Sequence, residues 1–165
     1  MVMKIEDIKN PAGYNDLRNF ERITREAFQF LITDYEFVQQ EPIVAGSECA
    51  IEYRNRTTGV LITWEWQYYV IVELARLKVT SGGISIAERH DLEHLLTIRA
   101  PDKHLTQKKH PNCEELKRVL DSYGTLTKEY AEDILTGDFS IFPQLMALSL
   151  ESIERKKAML GYPKS

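Results

Sequence analysis

Cysteine is scarce in this 165-residue chain: only Cys49 and Cys113 occur, far apart, which leaves no disulfide framework and suits a reducing compartment. Positive charge is not in excess. Twenty-one Lys and Arg stand against 25 Asp and Glu, and the net charge of −4 argues against a protein that holds nucleic acid by neutralising phosphates. No apolar run approaches the length of a membrane span, and Glu6 and Asp7 fall where a signal peptide would be apolar, so a cytoplasmic protein away from membranes is expected. Neither a Gly-x-Ser-x-Gly elbow nor a Gly-rich phosphate loop is present, and there are no repeats or low-complexity tracts. No cofactor is expected.

What the chain does have is alternation. In Glu48–Arg54, Cys49, Ile51 and Tyr53 point one way and Glu48, Glu52 and Arg54 the other, the period of a strand with one wet face. Val60, Ile62, Trp64 and Trp66 repeat the pattern after a turn at Asn55-Arg56-Thr57-Thr58-Gly59, where Gly59 is free to take positive φ. Tyr35–Gln39 reads as an earlier strand, interrupted by Pro42 and Gly46. The run from Tyr69 to Lys78 reads as a later strand covered on both faces.

Helical spacing takes over on either side. Leu17, Phe20, Ile23, Ala27, Phe30 and Leu31 give an amphipathic helix from about Asn15 to Asp34, capped by Asn15 or Asp16. Ser81-Gly82-Gly83 ends the sheet, and everything beyond reads as helical. Ser85 caps a helix through Leu96, Asn112 caps one that Gly124 stops, Thr127 opens another closing near Gly137, and the last runs from Ile141 toward Gly161. The expectation is one α+β domain over residues 1–165: N-terminal helix and four-stranded antiparallel meander in 1–80, C-terminal helical layer in 81–165.

Three constellations carry chemistry. His90 and His94 stand one helical turn apart, a spacing that chelates metal, with His104, His110 or Cys113 as a third ligand; a metal-dependent enzyme is therefore one alternative. The more economical reading is a solvated helix face among Glu88, Arg89, Asp91 and Glu93. Lys103, Lys108, Lys109, Lys117 and Arg118 make a locally basic loop, read as solvated because no aromatic rings interleave with them. The run Trp64-Glu65-Trp66-Gln67-Tyr68-Tyr69 holds more aromatic area than a turn requires. Trp64 and Trp66 belong to the core by alternation, and a ring near the turn tip is a candidate interface anchor.

The order of these parts, with Tyr130–Phe139 and its Leu-x-Gly-Asp-Phe segment before the last helix, resembles small bacterial α+β proteins akin to immunity proteins of polymorphic or contact-dependent toxin systems. Such a resemblance implies a non-enzymatic domain that binds a protein partner, a basic toxin domain. No binding residues come with it. An acidic chain steers a basic partner, and the wet face of the hairpin and its turn supply the candidate contacts Glu48, Glu52, Glu65, Trp66 and Tyr68. A regulatory or scaffold domain acting through the helical half is the other alternative.

Overall fold

The structure, a computed structural model, describes residues 11–45, 48–65, 69–107, 109 and 111–159, with the side chains of 11–15 left out of account. Two helices, α1 (Pro11–Ala27) and α2 (Gln29–Tyr35), lead into six strands: β1 (Val38–Gln39), β2 (Ile43–Ala45), β3 (Glu48–Arg54), β4 (Thr58–Glu65), β5 (Val70–Thr80) and β6 (Gly83–Asp91). Four helices follow, α3 (Leu92–Arg99), α4 (Cys113–Tyr130), α5 (Glu132–Leu135) and α6 (Phe142–Met159). The architecture is α+β, as expected, and the sheet is antiparallel.

Among the described residues it has six strands rather than four. The order is β1-β3-β4-β5-β6, with β2 also on β3, so β1 and β2 share one flank of the same strand. Ser81-Gly82 is not the end of the sheet but the turn of a β5–β6 hairpin, closed by Thr80 opposite Gly83 at φ +115. The helix expected from Ser85 begins only at Leu92, where Asp91 accepts the Glu93 N–H at 2.8 Å.

The N-terminal helix breaks at Phe28, and Asn15 and Asp16 lie inside α1 rather than capping it. Tyr35 closes α2, and Glu36 takes the left-handed conformation at φ 58 before β1. Asn112 caps α4 as expected: its side chain accepts the Glu115 N–H at 2.9 Å, and its own N–H donates to the Glu115 carboxylate at 3.2 Å. Gly124 does not stop that helix, which runs six residues further to Tyr130, and Gly137 does end a helix, at φ +97. Gly59 has no positive φ. The turn before it is built by Asn55, whose side-chain oxygen accepts the N–H groups of Thr57 and Thr58 at 3.0 and 2.8 Å.

The sheet has one dry face. Val44, Cys49, Ile51, Tyr53, Val60, Ile62, Trp64, Val70, Val72 and Leu74 all point to it and form one cluster with Phe20, Phe28, Leu95, Leu120, Ile134 and Phe142 from the helices. Burial pushes the Cys49 thiol up to about 12, the behaviour of a core residue. Among the described residues no helix is long and apolar enough to cross a membrane.

Candidate interaction face

Residues paired across antiparallel strands share a face, so the register writes out the other side of the sheet in rows. The first row is Ala45, Glu48 and Glu65. The second, Ile43, Ala50, Thr63 and Ile71, is apolar or small. The third is Glu52, Leu61, Glu73 and Asp91, and the fourth is Val38, Arg54, Gly59, Ala75 and Arg89. None of these residues belongs to the core cluster. Ile43 and Ile71 are 42% and 37% exposed, so β5 is central in the sheet yet not covered on both faces.

Charges on this face are segregated by row, and the third and fourth rows compensate each other. Arg54 donates to both oxygens of Glu52 at 2.6 and 2.7 Å, a bidentate pair that leaves Glu52 only 7% exposed. Beside it, a Cβ on Gly59 would stand 3.3 Å from Leu77 Cδ2 and in ordinary contact with Glu52 Oε1 at 3.5 Å, so the glycine serves packing against the Leu77 side chain rather than a turn. Arg89 lies 3.4 Å from Glu73.

The first row has no such compensation: Glu48 and Glu65 stand directly opposite one another, and among the described residues neither has an ion-pair partner. Like charges so placed repel, and a cation brought between them is favoured. Of the five contacts expected from sequence, the structure thus brings Glu48 and Glu65 together on the open face and ties Glu52 to Arg54. Trp66 and Tyr68 lie outside the described residues. Trp64 is buried against Phe20, ring centroids 5.4 Å apart, as alternation required.

Glu73 and Asp91 face each other in the third row. Burial first, and then the neighbouring carboxylate, holds Glu73 above the ordinary carboxylate range, with Arg89 opposing. Burial does the same to Asp91 against the pull of the Glu93 N–H. A carboxyl whose folded pKa is raised destabilises the fold as pH climbs through that value, and the penalty vanishes below the unfolded pKa near 4. Asp91→Asn keeps the α3 cap and removes the buried charge, so urea titration should find it more stable than the native chain at pH 7, the gap closing at pH 3.5. Asp91→Ala loses the cap and should be about 1 kcal/mol less stable than Asp91→Asn.

The two histidines do not form a helical pair. His90 lies one residue before the end of β6 on the dry face, 3% exposed, with Nε2 2.9 Å from Glu88 Oε1 and the Phe142 ring edge-on at 4.7 Å. His94 lies on α3 with Nδ1 3.1 Å from the Ser149 hydroxyl. His104 reaches Glu93 at 3.3 Å, Cys113 is exposed at the start of α4, and His110 lies outside the described residues. Among the described residues no three His, Cys, Asp or Glu side chains gather as metal ligands. In the basic loop, Lys117 is paired with Asp121 at 2.8 Å, while Lys108 is outside the described residues.

Sequence reasoning missed Gln107. Its side-chain amide accepts the Val70 N–H at 2.7 Å, donates to the Val70 carbonyl at 2.8 Å and donates to Tyr123 Oη at 2.8 Å. Tyr123 in turn donates to Glu93 Oε1 at 2.9 Å, and burial followed by the Glu93 charge raises its phenol far above the ordinary value, keeping it a donor. Gln107 therefore stands in for a neighbouring strand where β6 has already turned into α3.

Comparison of the chain with family models, with curated proteins and with solved structures finds no match.

Proposed function

We propose that this chain is a cytoplasmic, non-enzymatic binding domain of the immunity type, which neutralises a basic toxin domain by docking it on the open sheet face. The observation that carries the reading is the Glu48–Glu65 pair: two carboxylates held opposite each other with no ion-pair partner among the described residues, beside the row from Ile43 to Ile71. A Lys or Arg of the partner placed between them relieves their repulsion, and the adjoining row supplies area that excludes water around that contact. Steering by such charges acts mainly on the association rate, which makes the reading testable by salt.

Co-expression with the proteins encoded beside it should yield a one-to-one complex whose association rate falls steeply between low and high salt. Glu48→Lys with Glu65→Lys should slow association about tenfold or more at low salt and flatten that dependence. Glu65→Lys alone turns the repulsive pair into an attractive one, so it should gain roughly 0.2–1 kcal/mol of folding stability while losing affinity. A variant that binds at the native rate, or neighbours that form no complex, would overturn the proposal.

A further inference from the structure

We propose that the free edge of β6 is a dimer interface, through which two copies of this chain join their sheets antiparallel about a twofold axis at Ser85. The two edges of the sheet are treated differently. On the β1/β2 side the edge consists of strands of two and three residues separated by Pro42, the kind of short, interrupted edge that resists pairing. On the other side β6 is a nine-residue strand without proline and, among the described residues, with no strand beyond it.

The end of this edge projects from the body. The paired ladder between β4 and β5 stops at Thr58 opposite Arg76, and the Leu77 N–H makes the last bond on that side, to the Thr57 carbonyl at 2.7 Å, so Lys78–Thr80 have only Gly83–Ser85 beside them in the sheet. A two-stranded ribbon is marginal in water by itself. This one also exposes its apolar side chains: Val79 is 78%, Ile84 46% and Ile86 38% accessible.

Pairing of β6 with its own copy is self-complementary at one register. Beyond the two-residue turn, the closing pair Thr80 and Gly83 bonds inward, and the alternation that follows turns the N–H and C=O groups of Ile84 and Ile86 to the free side. With Ser85 opposite Ser85 of the second copy, Ile84 meets Ile86 of that copy twice. Each joint row then reads Leu77, Ile86, Ile84, Val79 across four strands, because Leu77 pairs with Ile86 and Val79 with Ile84 within each copy. Every exposed isoleucine of the arm gains an apolar cross-strand neighbour. Ser85 Oγ, buried without a hydrogen-bond partner among the described residues, sits at the axis, where a small rotation brings it to the matching hydroxyl. The axis is perpendicular to the sheet, so both open faces lie on the same side and the Glu48–Glu65 rows remain free. The dimer is thus independent of the binding role proposed above.

Sedimentation equilibrium of the full chain over a wide concentration range should show a reversible doubling of mass, and Ile84→Lys and Ile86→Lys should each shift it to monomer while the circular dichroism spectrum stays native. The register has its own test. Residues opposite each other in a non-hydrogen-bonded pair lie about 4.5 Å apart between Cα atoms, within reach of a disulfide. In a Cys113→Ser background, which removes the exposed thiol, Ser85→Cys should therefore give a covalent dimer on mild oxidation, and Ala87→Cys should not. A wild-type chain monomeric throughout, natively folded lysine variants that remain dimeric, or Ala87→Cys crosslinking in preference to Ser85→Cys would overturn the proposal.

Discussion

Gly124→Ala is expected to lower the melting temperature by about 4–8 °C, a loss near 2 kcal/mol, although the same change in an ordinary helix interior adds about 1 kcal/mol. The sign reverses because α4 crosses α1 at this position. A Cβ on Gly124 would collide with the carbonyl oxygen of Ala27 and stand 3.2 Å from its carbonyl carbon, and backbone atoms cannot swing aside as a side-chain tip can. The helices must separate, which opens the layer holding Phe20, Ile23, Leu120 and Tyr123. Truncating Ala27 to glycine does not help, since the obstacle is the carbonyl, so the double variant Ala27→Gly, Gly124→Ala should stay at least as unstable as the single one. Calorimetry checks both, and a raised melting temperature for Gly124→Ala would mean that the two helices do not approach this closely.

The same glycine explains where sequence reading stopped short. Intrinsic propensity makes Gly124 a helix terminator, and only the neighbouring helix, remote in sequence, supplies the reason to keep it inside one. β6 was hidden by a similar conflict. Its first half, Ile84-Ser85-Ile86, alternates, but Ala87-Glu88-Arg89 favours a helix, and the irregularity in pairing after Arg76 breaks the two-residue period at that point. In the arm itself Val79, Ile84 and Ile86 are exposed, so burial left little mark on its composition.

What was legible in the hairpin was the partition of its side chains: Cys49, Ile51, Tyr53 and Trp64 went to the core and Glu48, Glu52 and Glu65 to the other face, because a half-buried strand imposes a period of two on its sequence. The difference between Glu52 and its neighbours was not legible. Whether a carboxylate is tied to Arg54 or left facing another carboxylate depends on register, and register follows from turn geometry and packing rather than from either strand alone.

Gln107→Ala should destabilise the chain by about 2–4 kcal/mol, a large loss for a half-buried polar residue in a loop, because it strips partners from groups that keep their need for them. The Val70 N–H and carbonyl face the place where β6 has left the sheet, and Tyr123 Oη would keep only its bond to Glu93. Gln107→Glu separates hydrogen bonding from volume. A carboxylate still accepts the Val70 N–H but cannot donate to the Val70 carbonyl or to Tyr123, and it adds negative charge close to Glu93. It should therefore lose as much as the alanine variant at pH 7 and recover part of the loss as the new side chain is protonated below its pKa. Amide hydrogen exchange gives the local readout: protection at Val70 should collapse in Gln107→Ala at neutral pH and persist in Gln107→Glu, whose carboxylate still accepts that N–H, while Ile62 and Val72, paired with each other between β4 and β5, exchange only with global unfolding. Unchanged exchange at Val70 in Gln107→Ala would show that the side chain does not act as the missing strand.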